Sequence, residues 1–305
     1  MTINAATLAT LFAGFNAALK SGFDMADTSY DRWAMSVPSK QAIERYPMAL
    51  LLGSMRQCIG PRQIANLLAK YLEVTNLDYE SSLGIPTNDI KDDNVGLYPS
   101  AFAQMGMDAK QNWPAIATAA LTANGNWLDG SAFFGTSRTL GNSGTIANYV
   151  TTALAEATFN TAFQTMTSYK GTNGKPLGIR PRFLMVGPAN RTVAHGIVNQ
   201  GPGATAANAN AGAVEVEVNP LLADGTCDNY WFLLGDRGVI KPVMIQKREE
   251  GPLVALDRPT DSTVFLGTTG GEDGNVPGGV NVYGIHYRGA AALSLPVLAY
   301  AGYKS

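Results

Sequence analysis

Five places in the chain carry residue types that could do chemistry. Gly141-Asn142-Ser143-Gly144 sets a serine in a glycine turn, as GDSG-type nucleophile turns do. However, the two histidines, His195 and His286, both follow it, whereas that arrangement places its base ahead of the serine. Other triad orders exist, but a polar glycine turn is the plainer reading. Gly171-Thr172-Asn173-Gly174-Lys175-Pro176 contains a Gly-Lys pair, yet a phosphate loop needs four residues between its glycines and a Ser or Thr after the lysine. Gly201-Pro202-Gly203 lacks the third glycine and helix start of a dinucleotide site. Asp89, Asp92 and Asp93 form an acidic run, and Lys247-Arg248-Glu249-Glu250 a mixed cluster. Neither has a cysteine or histidine partner in the spacing a metal needs, so no cofactor or metal is expected. A solvated surface is the default for both charge clusters.

The elements around the acidic run explain it without catalysis. Leu77, Tyr79, Leu83 and Ile85 alternate with Asp78, Glu80, Ser82 and Gly84, which predicts a strand with one covered face. Val95, Tyr98, Phe102, Met105 and Ala109 recur at helical spacing and predict a long helix, about 97–124, with Pro99 in its first turn. Between them Thr87 is expected to cap a short turn, and the aspartates sit where negative charge suits a helix N-terminus. Gly84–Gly106 therefore reads as a hinge between strand and helix.

Bulk properties narrow the class. The 305 residues can bury a substantial core, and only 15% are charged, against about 25% in a typical soluble domain. A surface low in charge is easily buried against copies of itself. The net charge of -2, with no Lys/Arg block, argues against a basic nucleic-acid groove. Cys58 and Cys227 have no metal or disulfide pattern and read as reduced thiols. The apolar run Leu8–Leu19 lacks a preceding basic residue, and no run of about 18 apolar residues exists to span a membrane.

Along the chain, Leu8, Leu11, Phe12, Phe15 and Leu19 predict a short amphipathic helix. Arg62–Leu68 and Lys70–Ile85 predict a long hairpin, which needs a partner surface because a lone ribbon is marginal in water. Residues 127–144 read as loop with one strand pair. A helix over Thr151–Tyr169, a strand over Arg182–Gly187 and a helix from Pro188 to Asn199 follow. Strands are expected at Val214–Val218, Tyr230–Gly235 and Val239–Lys247. Extended runs at Leu253–Leu266 and Val280–Leu298 then flank a Gly-rich tip at 267–279.

The order of amphipathic strand, acidic turn (Asp92, Asp93, Asn94, Gly96, Tyr98) and helix carrying Phe102, Met105 and Gly106 resembles the major head subunit of Mu-like tailed phages. A second segment, Ser168–Pro188, resembles the same family in its glycines, Gly-Lys, Leu-Gly and apolar strand. The resemblance implies an α+β chain of the Hong Kong 97-type capsid fold. Its implied parts are an N-terminal arm (1–36) that reaches neighbours, a peripheral domain (37–145 and 247–291) and an axial domain (146–246 and 292–305). The peripheral domain would carry an extended loop at about 58–86 and the long helix as its spine.

On that reading the chain is a structural protein, not an enzyme, that forms hexamers and pentamers around double-stranded DNA contacted non-specifically. Near neutrality suits a lining that must not hold the duplex. Candidate inter-subunit contacts are Phe12, Phe15, Lys70, Tyr71, Leu77, Tyr79, Asp92, Asp93, Lys247, Arg248, Glu249 and Glu250, with pairing between the last cluster and Lys91, Asp92 and Asp93 of a neighbour. Some relatives cross-link through Lys and Asn. Lys70 is the lysine in the expected loop, but no acceptor or acidic catalyst is marked, so no cross-link is expected. Because the arm starts directly after Met1, scaffolding is expected from a separate protein, with portal and decoration proteins as further partners. The expected location is the virion, after assembly in the host cytoplasm. The alternatives are an encapsulin-type compartment shell and a hydrolase using Ser143.

Overall fold

The long helix is built by its apolar stripe and held by glycine. In a computed structural model of the chain, residues 5–27, 29–47, 71–92, 94–140, 143–199, 208–249 and 280–302 are described. In chain order come α1 (Ala5–Met25), β1 (Ala34–Pro38), β2 (Ile43–Pro47), β3 (Tyr71–Thr75), β4 (Leu77–Pro86), α2 (Thr87–Lys91) and α3 (Tyr98–Ala123). There follow the two-residue strands β5 (Arg138–Thr139), β6 (Thr145–Ile146) and β7 (Tyr149–Val150), then α4 (Glu156–Ser168), β8 (Arg180–Val186), α5 (Arg191–Val198) and β9 (Glu215–Val218). Strands β10 (Trp231–Asp236), β11 (Val243–Glu249), β12 (Val280–Leu293) and β13 (Ala299–Gly302) complete the α+β chain.

One sheet has the order β1-β11-β12-β4 and a second the order β7-β13-β10-β8-β9. β12 runs antiparallel to both its neighbours, and β1 lies parallel to β11. Helix α3 buries Phe102, Met105, Ala109, Trp113, Ala117 and Leu121 at the predicted spacing. It starts with Pro99 in its first turn and ends at Asn124, which takes the left-handed conformation at φ 45°. Asn124 earns the cap by pairing with Phe134, accepting from its N–H at 2.7 Å and donating to its carbonyl at 3.2 Å.

Helix α1 docks on α3 where both lack side chains. A Cβ on Gly106 would lie 2.1 Å from the Leu19 carbonyl oxygen, and one on Gly22 would lie 1.8 Å from that of Ala103. Phe15, 3% exposed, stacks on Phe102 with ring centroids 4.5 Å apart. Within the segment expected as an arm, α1 is 21 residues long, and its apolar face joins the chain's own core.

The expected hairpin is redrawn. β3 pairs antiparallel with β2, and the expected partner run, Arg62–Leu68, lies outside the described residues. β4 belongs to the four-stranded sheet against β12, where Ile85 is buried and Tyr79 and Leu83 are half-buried, as the alternation required. Val239–Lys247 gives strand only from Val243; Val239 lies in an exposed turn. Val280–Leu298 is not one strand, because the buried Ser294 donates its hydroxyl to the carbonyls of Lys241 and Pro242 and ends β12 there. The chain then crosses to the other sheet as β13. Helix α4, α5 and β9 fall within the expected elements, trimmed by one to five residues at their ends, while β8 begins two residues before its expected start and β10 runs one residue past its expected end. The Gly-rich tip and Leu253–Leu266 lie outside the described residues.

Candidate assembly surface

The β2/β3 ribbon has two unlike faces. Successive residues point to opposite sides, so Glu44, Tyr46, Leu72 and Val74 face the body, while Ile43, Arg45, Tyr71 and Glu73 face outward; Asn76 follows β3, and Leu77 opens β4. The inner face packs Val74, Leu72 and Tyr46 against Met244 and Ala290 of β11 and β12.

Beneath that contact runs a connected polar network. Gln246 of β11, fully buried, donates from Nε2 to Asn76 Oδ1 at 2.6 Å and accepts from the Tyr46 hydroxyl at 2.8 Å. Asn76 donates to Ser39 Oγ at 2.8 Å and to the Gln41 carbonyl at 2.7 Å. Glu44 Oε1 closes the network by accepting from the amides of Lys40 and Gln41 at 2.7 and 3.0 Å. Those two backbone bonds hold the Glu44 carboxyl below the usual glutamate range. A buried amide left unpaired costs about 1–3 kcal/mol, so the network fixes one register of ribbon on sheet.

The outer face is apolar at its ends and charged between. Ile43, Tyr71 and Leu77 are 47%, 51% and 55% exposed. Arg45 and Glu73, directly opposite in register, pair across the ribbon at 2.8 Å. Exposed apolar side chains on a rigid ribbon lose little entropy when a second surface covers them.

At the strand-to-helix junction, the Tyr98 hydroxyl donates to Asp89, which pushes the phenol above its ordinary value. Asp89 thus ties α2 to α3. Asp92 ends α2 and is exposed. Thr87 is the first helical residue, not the cap; Pro86 holds that position and no side chain caps it.

The remaining candidates divide sharply. Tyr71 lies on the outer ribbon face, while Leu77, exposed, and Tyr79, half-buried, both belong to β4. Phe15 is in the chain's own core, and Phe12 packs beside it, its ring 6.5 Å from that of Tyr283. Lys247 turns inward, its ammonium 5.4 Å from the Trp113 ring and 5.8 Å from that of Tyr30. Arg248 lies near enough to act on Glu44. Glu249 ends β11, and Lys70, Asp93 and Glu250 lie outside the described residues. The sequence reading missed Ser39, Ile43, Tyr46, Asn76 and Gln246. The alternation of Ile43, Arg45 and Pro47 with Glu44 and Tyr46 was the available signal.

The serine turn offers no catalytic geometry. Ser143 is buried, donates to the Gly144 carbonyl at 2.9 Å and accepts from the Leu140 amide at 3.0 Å. His195 bonds Asn199 at 2.8 Å, and His286 lies 3.5 Å from Asp78. Burial and the Asp224 carboxylate push the Cys227 thiol up to about 11. Among the described residues no acid, histidine and cysteine group could hold a metal.

Comparison with known proteins falls on the same elements. Residues 8–153 match the family described as Mu-like prophage major head subunit gpT, and residues 88–304 match the family described as phage capsid protein. The major capsid protein of Escherichia phage Mu is 27% identical over 109 residues, 36% of either chain. The Mu-like prophage FluMu major head subunit of Haemophilus influenzae is 29% identical over 133 residues, 43% of either chain. The alignments thus span less than half the length of these two relatives. Among solved structures, the procapsid of bacteriophage JBD30 superposes with a TM-score of 0.59 at 19% identity, covering 99% of this chain and 77% of that one. The fold is the Hong Kong 97 type.

Proposed function

The chain belongs to the phage capsid protein family, and from that premise we propose that it is the major head subunit of a Mu-like tailed phage. Its chemistry is association: copies tile as hexamers and pentamers into an icosahedral head. The observation that carries this reading is the ribbon, whose inner face is locked by Gln246 and Asn76 while its outer face leaves Ile43 and Tyr71 uncovered, with Leu77 exposed where β4 begins. A lone subunit gains nothing from such a face; a neighbour's surface satisfies it.

The proposed partners are copies of the same chain, a separate scaffolding protein during assembly, portal and decoration proteins, and packaged double-stranded DNA. A net charge of -2 suits a wall that encloses DNA without gripping it. Among the described residues no helix is long and apolar enough to cross a membrane, in keeping with a proposed place in the virion and assembly in the host cytoplasm. An encapsulin-type compartment shell would share the fold. The match of residues 8–153 to the Mu-like head subunit favours the phage.

Sedimentation of the expressed chain, with and without a co-expressed scaffold, tests the proposal. Material sedimenting as large closed particles supports it. A chain that stays a small soluble species in every condition rejects it.

A further inference from the structure

A cavity of about 330 Å³ opens where three parts of the chain meet. Its walls come from the segment after α1 (Asp27, Tyr30, Trp33), the middle of α3 (Gln111, Pro114) and the end of β9 (Glu217). Several of these groups accept hydrogen bonds or attract cations. Asp27 and Glu217 contribute carboxylates, and Tyr30 and Trp33 contribute ring surface. Pro114 lies inside a helix and has no N–H to give the Lys110 carbonyl four residues back, which leaves that oxygen without its helical donor.

The local charge is not balanced. Arg32 pairs with Glu215 and lies 3.6 Å from Glu217, while its guanidinium sits 4.9 Å from the Phe183 ring centroid. One guanidinium thus serves two carboxylates, and Asp27 stands close enough to add a third negative charge, fixed by the Ser29 amide at 2.9 Å. Elsewhere on the surface Lys20, Lys40, Lys170 and Lys175 are exposed and form no ion pair with a described residue. Within the chain, Lys247 reaches the lining only at Tyr30, its ammonium 3.4 Å from the hydroxyl, so the three carboxylates still outnumber the two cations and an exposed lysine of a second copy supplies the missing charge.

We propose that this cavity receives a lysine ammonium from a neighbouring copy, its head between Asp27 and Glu217 and its stem along Tyr30 and Trp33. The inference rests on the reading of the chain as a shell subunit. It makes the cavity a second point of inter-subunit contact, far in sequence from the ribbon.

Zero-length carbodiimide coupling tests it on assembled shells made from a mixture of isotopically light and heavy chains. The expected result is a mixed light–heavy link from Asp27 or Glu217 to a lysine, lost in the Asp27→Asn/Glu217→Gln variant. The same variant should keep the melting temperature of the isolated subunit and give about tenfold fewer shells. Shells with no such link, or with links only inside one chain, overturn the assignment and leave the shell reading standing. A titration of the unassembled subunit with cadaverine separates a free amine from a neighbour's. Stabilisation by cadaverine in a protein whose shells show no link would give the cavity to a small polyamine and overturn the proposal as stated. Absence of any particle by electron microscopy overturns the shell reading and this inference with it.

Discussion

Gln246 and Asn76, 170 positions apart, share a hydrogen bond of 2.6 Å beneath the ribbon. That bond fastens the ribbon to the four-stranded sheet, because Gln246 belongs to β11 and Asn76 links β3 to β4. Replacing Gln246 by Leu leaves the Tyr46 hydroxyl and the Asn76 carbonyl oxygen without their partner, at a cost of about 1–3 kcal/mol. The loss should be local. Amide exchange should speed at Tyr71–Thr75 and Ile43–Pro47 well before α3 is affected. Uniform acceleration across the chain would contradict the assignment of Gln246 to the ribbon.

The outward ribbon face should matter to assembly and not to folding. Tyr71→Asp and Leu77→Asp place charge on exposed positions, so the melting temperature of the subunit should change by no more than surface substitutions usually do, about 0.5 kcal/mol. Shell yield should collapse. Normal shells from both variants would remove the ribbon face from the contact surface.

Gly106→Ala tests the docking of α1 on α3. The added methyl meets the Leu19 backbone oxygen at 2.1 Å and forces the helices apart, which costs about 1–3 kcal/mol or more. Thermal unfolding should shift down by several degrees. Gly14→Ala, where a Cβ meets nothing within 4 Å, is the matched control and should be neutral or slightly stabilising.

Acid should loosen the ribbon root. The Lys40 and Gln41 amides hold the Glu44 carboxyl below its ordinary value, so its contribution is complete above the ordinary glutamate range and disappears as pH falls through the lower, folded value. Protection of the Lys40 and Gln41 amides, measured by NMR against their intrinsic exchange rates, should fall on acidification from pH ~5 toward ~3 by more than at unrelated amides. In Glu44→Gln that extra loss should vanish.

Much of the fold was written in local pattern. The stripe from Phe102 to Ala109, the alternation from Tyr79 to Ile85 and the first-turn Pro99 each depend on residues near in sequence, and each element formed where its period placed it. What escaped notice depends on residues that meet from afar. Nothing in Ile43–Pro47 alone says that it pairs with Tyr71–Thr75, and nothing in Gln246 says that its amide reaches Asn76. The amphipathic face of α1 was legible, but amphipathicity does not tell whether the covering surface belongs to the same chain. The glycines decided that. Gly22 and Gly106 admit the close approach that buries Phe15 and Leu19 at home. Lys247 was misread for a related reason, since a lysine beside charged neighbours looks solvated until Trp113 and Tyr30 are seen beneath it.

The most direct test of the central claim is electron cryomicroscopy of particles grown from this chain. Closed hollow shells of five- and six-membered capsomers are expected, with the Ile43–Tyr71 face of each ribbon seated on an adjacent copy. Discrete monomers or small open oligomers, or shells in which that face stays bare to solvent, would contradict that claim.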